Sequence, residues 1–362
     1  MEVRATLVLA LVVLATIGET LVLARQASHL HEWAQYKRQH GKVYESPEED
    51  ARRFSLFLAA KERVQRHNAN ERASYKLGLN HMSDWTQEEF AQLTHSLGSN
   101  LADDEQQHET PKRRRNAGDP DPPPTPLSCD TAPVPAAMDY RKVPNRVSAV
   151  KDQGKCNSGW AFATVGVLEG QQFFTNYTNK PSKSIVPLSA QQLIDCSTSN
   201  KGCSGGDVEQ ALLDAGFMGG VQSEKDYPYG GVDKQQCHFN REQATMQLMG
   251  VEELSSGDLN IKQCLNSFGP VATSVEPNEN FREYKSGIFS DPACGHLKSR
   301  KSHSVLIVGY GTDPEEGDYW IVKNSWSTSW GENGYMRIKA GLCGIGEFSN
   351  ISWNAHWNED KA

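Results

Sequence analysis

The stretch Gln153-Gly154-Lys155-Cys156-Asn157-Ser158-Gly159-Trp160-Ala161-Phe162 carries a carboxamide, a sulfur and a hydroxyl on a glycine-containing loop that runs straight into apolar sequence. Ala161, Val165 and Leu168 recur at i, i+4 and i+7, so a helix follows Trp160 and its positive N-terminal end points back at the loop. Such an end favours a thiolate or another anion, and chemistry is expected at this junction. Two further candidates lie far downstream. His303 stands before the apolar run Ser304-Val305-Leu306-Ile307-Val308, and Asn324 follows Tyr319-Trp320-Ile321-Val322 by two residues. A lone histidine ahead of an apolar strand is ordinarily structural, so His303 needs accompanying motifs before it reads as a base.

The scaffold that must hold these residues has two textures. From Asn157 to about Phe239 the pattern is helical, with Ser189 placed as the N-cap of a run from Ala190 to Cys196. After Gly250, Val271 to Val275, Ser304 to Val308 and Tyr319 to Val322 read as strands separated by Gly- and Asp/Glu-rich turns. Ahead of both, residues 29–97 are rich in charge and helix formers, and Glu49, Arg53, Phe57, Val64 and Asn68 fall on one stripe of a long helix. Residues 98–135 turn acidic, then basic at Lys112-Arg113-Arg114-Arg115, then proline-rich at Pro122 to Pro126. That is a linker, and its basic run is either a site for a trypsin-like or furin-like enzyme or simply solvated charge.

Length and ordinary apolar content allow a sizeable core, and a net charge of −8 with pI near 5.8 shows no basic bias, so no nucleic-acid partner is expected. Neither a metal nor a cofactor is expected. Arg4 followed by the apolar run from Ala5 to Ile17 reads as a signal peptide over residues 1–24, with Val22-Leu23-Ala24 as the cleavage pattern; cleavage nearer Gly18, or an uncleaved anchor, are the alternatives. Eight cysteines and the sequons at Asn176 and Asn350 fit the secretory route, extracellular or lysosomal, with no membrane attachment once the signal is removed.

The loop closely resembles the active-site signature of the papain family of cysteine peptidases, which includes the cathepsins and reads Q-G-x-C-G-S-C-W-A-F. The stripe on the long helix resembles the family's E-R-F-N-I-N propeptide pattern, with Ala60 for the first Asn and Val64 for Ile. Gly78-x-Asn80-x-Met82-x-Asp84 is similar to its G-N-F-D element. The strings Leu188 to Cys196, Cys203-Ser204-Gly205-Gly206, His303 to Gly311 and Lys323-Asn324-Ser325-Trp326 match the family as well. The resemblance implies an α+β, papain-like fold over residues 136–362, with a helical lobe, a β-rich lobe and a cleft between them. It also implies a helical inhibitory propeptide at 29–97 lying over that cleft, and a peptide or protein segment as the other partner. By the same resemblance Gln153 serves the oxyanion, His303 is the base and Asn324 orients it, with Trp326 shielding Asn324. Gly205 and Gly206 pair with substrate backbone. Val208, Ser274, Ser304 and Phe348 line the main specificity pocket, Phe348 narrowing it towards a modest apolar side chain. The implied disulfides are Cys156–Cys203, Cys196–Cys237 and Cys294–Cys343, and Cys129 and Cys264 are left over for a fourth.

Two positions depart from the signature. Gly159 sits where the family carries its nucleophile, and Asn157 replaces a glycine beside it. Ser158 is the nearest hydroxyl, but one helical residue rotates a side chain by about 100°, so it is not expected to face His303. The reading is a non-catalytic member that keeps a peptide-binding cleft. Its alternative is an active cathepsin L-like endopeptidase in which Gly159 is compensated, an error or an engineered change; water attack assisted by His303 is a weaker third.

Overall fold

In the computed structural model the described residues are 24–94, 129, 133–172, 184–233, 235–248, 250–254, 256–297, 302–353 and 356–357. The signal-peptide span up to residue 23, most of the linker including its basic run, and Asn176 lie outside them. The N-terminal unit contains α1 (24–39), α2 (Pro47–Asn68), β1 (Tyr75–Leu77) and α3 (Gln87–Thr94). Ser46 caps α2 by accepting from the Glu49 N–H (3.2 Å), Pro47 opens it, and Glu48, Glu49 and Asp50 complement the positive end. The expected stripe is buried where it should be, at Arg53, Phe57 and Ala60. Trp33, Tyr36 and Phe57, with Tyr44, Phe54, Leu58 and Leu79 packed around them, form a small core belonging to this unit alone. Its polar framework is equally local. The buried Asp84 carboxylate accepts from Tyr36 (2.8 Å), Lys42 (2.9 Å) and Tyr44, while Arg53 engages Glu49 (2.7 Å), Glu89 and the Asp84 carbonyl (2.9 Å).

The remainder runs β2 (Met138–Asp139), α4 (Gly159–Gln171), α5 (Ala190–Cys196), α6 (Val208–Met218), β3 (Met246–Gln247), β4 (Gly250–Leu254), α7 (Asp258–Phe268), β5 (Val271–Val275), α8 (Glu279–Arg282), β6 (Tyr284–Phe289), β7 (His303–Asp313), β8 (Gly317–Lys323), β9 (Tyr335–Lys339), β10 (Ser349–Trp353) and β11 (His356–Trp357). Every residue of α4 is buried, as an all-round apolar helix must be, and it packs on β5 and β7 on one side and on α5 and α6 on the other. The large sheet runs β1-β6-β9-β8-β7-β5-β10-β4, with β2 added to β7; every pairing in it is antiparallel except β6 with β9. The helical and β-rich lobes expected from sequence are both present, and Ser189 caps α5 through the Gln192 N–H (2.9 Å). All three implied disulfides form, and Cys129–Cys264 is the fourth.

The N-terminal unit completes this sheet. β1 pairs with β6, Tyr75 opposite Gly287 and Leu77 opposite Tyr284, while Gly78 N–H donates to the Glu283 carbonyl (2.8 Å) and Asn80 Nδ2 to that of Arg282 (2.7 Å). Arg63 of α2 forks onto the buried Glu283 carboxylate (2.8 and 2.6 Å) and reaches Glu279 (3.1 Å). Edge strands leave unpaired backbone groups, and β1 satisfies those of β6. At the second sequon, Asn350 is 8 % exposed within β10, flanked by β4 and β5, which leaves little room for a glycan.

Candidate active site

Three elements converge on the loop–helix junction. α4 begins at Gly159, β7 begins at His303, and Asn324 follows the last residue of β8. His303 is buried, and its Nε2 lies 2.8 Å from Asn324 Oδ1, which also accepts the Ser325 N–H at 2.8 Å. With its oxygen receiving the Ser325 N–H, the amide presents an acceptor to the imidazole; that favours the tautomer protonated at Nε2 and leaves Nδ1 as the basic nitrogen. The Trp326 indole stacks on the imidazole with centroids 4.6 Å apart and planes 20° from parallel, so it covers His303.

The other ring nitrogen faces position 159. A Cβ built on Gly159 would lie 2.8 Å from His303 Nδ1, 2.9 Å from Cε1 and 3.2 Å from the Ser304 carbonyl oxygen. A side chain at 159 would therefore meet the imidazole directly, which is the arrangement in which a base can deprotonate a nucleophile. Glycine supplies only hydrogen there. Ser158 does not substitute for it: its hydroxyl lies 3.0 Å from the Tyr229 hydroxyl and 3.4 Å from the Cys156 carbonyl. Cys156 is bridged to Cys203, and with all eight cysteines paired the chain holds no free thiol.

Gln153 is buried with its amide held on both sides, Nε2 donating to the Cys156 carbonyl and Oε1 accepting from Ser325 Oγ, each at 2.8 Å. One N–H of that amide is therefore engaged within the loop, and the second is what remains for an oxyanion. Gly205 has φ 107°, and its carbonyl accepts the Lys201 N–H (3.0 Å). Gly206 is glycine for a packing reason, because a Cβ there would come within 2.5 Å of Asn200 Oδ1 and 2.7 Å of the Trp160 indole. Ser274 of β5 is directly opposite Ser304 of β7, and its N–H donates to the carbonyl of Phe348 just ahead of β10 (3.2 Å), so three of the four expected pocket residues adjoin one another. Val208, buried at the start of α6, comes from the other lobe.

Two groups of residues carry no local sequence signal and were missed. Tyr229 donates to the Gln153 carbonyl (2.8 Å) and packs its ring on Phe162, fixing the loop from the helical lobe; burial pushes its hydroxyl up to about 12. Behind the site Lys323 donates to Ser148 Oγ (2.8 Å), which in turn donates to Glu169 of α4, tying the lobes together. Burial brings the Lys323 ammonium down to about 8. Lys323 and Glu169 border a cavity of about 20 Å³, the size of one water, together with Phe162, Ser304 and Asn324.

Residues 134–358 match the sequence model described as "Papain family cysteine protease", and residues 33–90 match "Cathepsin propeptide inhibitor domain (I29)". The chain is 36 % identical over 329 residues to "Cathepsin L" of Sarcophaga peregrina, covering 88 % of this chain and 91 % of that one. It is 33 % identical over 357 residues to "Cathepsin L1" of Drosophila melanogaster, covering 96 % and 91 %. Among solved structures, digestive procathepsin L 3 of Tenebrio molitor larval midgut superposes with a TM-score of 0.75 at 33 % identity, covering 90 % of this chain and 98 % of that one. With both halves of the precursor matched and the His303–Asn324 pair in place beside the head of α4, the chain belongs to the papain family of cysteine proteases as a cathepsin L-like precursor with its propeptide.

Proposed function

We propose that this precursor is a non-catalytic member of the family that binds an extended peptide or protein segment in its cleft without cutting it. The observation that carries this is the pairing of Gly159 with His303 Nδ1 in a chain whose cysteines are all bridged. Covalent catalysis needs a nucleophile at the base, and removing one that works as a unit with its base costs about 10⁶-fold in rate in a comparable triad. Groups that hold a substrate backbone are separate from the group that attacks it, so Gly205, Gly206 and the wall formed by Ser274, Ser304 and Phe348 retain their use. Four disulfides fit an oxidising compartment, extracellular or lysosomal, reached by cleavage of a signal peptide over 1–24. The 98–135 linker then separates a propeptide at 29–97 from a binding domain at 136–362.

Mass spectrometry of the natural protein across residue 159, with titration by an active-site thiol reagent, tests the chemistry. No alkylation of the native fold is expected; stoichiometric labelling with loss of peptide cleavage would return the chain to the active endopeptidases. Calorimetry on propeptide-free protein with peptides lacking a reactive group tests the cleft. Binding near micromolar, roughly −8 kcal/mol, is expected without hydrolysis.

A further inference from the structure

Arg282, the last residue of α8, is only 3 % exposed, yet its guanidinium is poorly answered. Nε and Nη1 have no acceptor among the described residues, and Nη2 comes only to 3.5 Å from the Glu283 carboxylate and 4.0 Å from that of Glu279. Both Glu283 oxygens are already taken by the fork from Arg63 (2.8 and 2.6 Å). Burial pulls the Arg282 guanidinium below the ordinary arginine value, and a buried charge short of hydrogen bonds is costly. The backbone holds the residue in place, because its carbonyl accepts from Trp330 Nε1 (3.0 Å) and from Asn80 Nδ2 (2.7 Å). What covers the guanidinium is a hydrocarbon ring. Phe90 of α3 lies beneath it at 5.2 Å and meets the Trp326 indole edge-on at 5.8 Å. Trp326 stacks in turn on His303, and its own N–H has no acceptor among the described residues. Two unanswered donors therefore flank a phenyl group, which accepts a hydrogen bond only weakly, at the end of the cleft beside His303.

We infer that Arg282 is a carboxylate-selecting residue of this cleft: a bound peptide segment that takes the place of Phe90 presents a carboxylate, from an Asp or Glu side chain or from its C-terminus, to the Arg282 guanidinium. The inference rests on the peptide-binding reading of the cleft and names the ligand class within it. Carboxylate oxygens are the acceptors that Nε and Nη1 lack, and a charge-assisted hydrogen bond made away from water is among the strong ones. Arginine suits the position because its guanidinium keeps its charge when desolvated. An apolar or amide end in the place of Phe90 leaves that cation with a weaker partner or none, so the selection is by charge. While Arg63 holds Glu283, that carboxylate does not compete for Arg282, and the site can be read in the uncut chain.

The test uses the full, uncut chain in two arms. In the first, position 90 itself delivers the carboxylate: Phe90→Glu and Phe90→Gln are compared by urea unfolding at neutral pH, each with Arg282 and with Arg282→Gln. The ratio of the folding constants of the Glu and Gln forms should be at least about tenfold larger with Arg282 than with Arg282→Gln. In the second arm Phe90→Ala takes the ring off the site, and calorimetry is run with end-blocked Ala-Glu-Ala against Ala-Gln-Ala, and with Ala-Ala-Ala as free acid against its amide. One acid should bind at least about tenfold tighter than its neutral counterpart, and the two should come within about twofold once Arg282→Gln is added. Preference for Ala-Glu-Ala assigns the side chain as the source of the carboxylate, and preference for the free acid assigns the C-terminus. Circular dichroism checks that each variant folds, and Arg282→Met replaces Arg282→Gln if it does not. Equal ratios with and without Arg282 in the first arm, or an acid preference that survives Arg282→Gln in the second, would overturn the inference. Failure of the peptide-binding reading is separable: the first arm would keep its ratio while no tripeptide binds, which overturns the proposed ligand and retains the contact between Arg282 and a carboxylate.

Discussion

Position 159 is tight as well as chemically empty. Its missing Cβ would press on an imidazole that is hydrogen-bonded to Asn324 and stacked on Trp326, so a cysteine there must move the ring by a few tenths of an ångström. We expect Gly159→Cys to lose about 1–3 kcal/mol of stability through overpacking, read by denaturant unfolding. It should gain a thiol that alkylates below the usual cysteine pKa, because His303 and the start of α4 favour the thiolate. A folded variant whose new thiol resists alkylation would mean that the imidazole cannot serve as its base. Lys323 gives a second residue-scale expectation. Its native value near 8 lies below the ordinary 10.5, so between those values the unfolded chain holds the extra proton and stability rises with pH. That rise should reach about 3 kcal/mol, with Lys323→Met lacking it when both are unfolded by urea across the window.

The contacts that hold the docked propeptide include one strand, the Arg63 ion pairs, Phe90 of α3 against Trp326 and the turn between β1 and α3, and that turn carries a titratable group. His81 sits against the mature domain beside Ser329, with Asp152, Lys42, His40 and Asp84 as its charged or titratable neighbours. Burial brings its imidazole from 6.5 down to about 4, so the unfolded chain binds a proton more readily than the folded one. Stability is therefore unaffected by His81 above about pH 6.5 and falls as pH drops towards 4. The urea midpoint of the precursor should follow that trend, and His81→Gln should flatten it. An unchanged profile in the variant would assign the acid response to other groups.

Across the whole molecule, Cys129–Cys264 ties the segment before β2 to α7 over 135 residues of sequence. Replacing both by serine should cost about 2–4 kcal/mol, read as a lower denaturation midpoint, because a long loop regains its freedom in the unfolded chain. Much of this architecture was legible in advance. Periodicity placed α2 and α4 and β-branched runs placed β5, β7 and β8, since each is written in local spacing, while the resemblance to the papain family implied both lobes, the propeptide and three of the disulfides. That residue 159 is a glycine was also plain, being one letter. Other features depend on which distant segments fold against one another. Nothing local says that Tyr229 pins Gln153 and Ser158, that Lys323 reaches Glu169 through Ser148, or that Gly206 must be glycine to clear Trp160 and Asn200. Nor does any run of sequence pair Arg63 with Glu283, 220 positions away. Backbone periodicity and short-range propensity fix elements, whereas the meeting of two side chains across lobes is decided only when close packing brings those elements to one place.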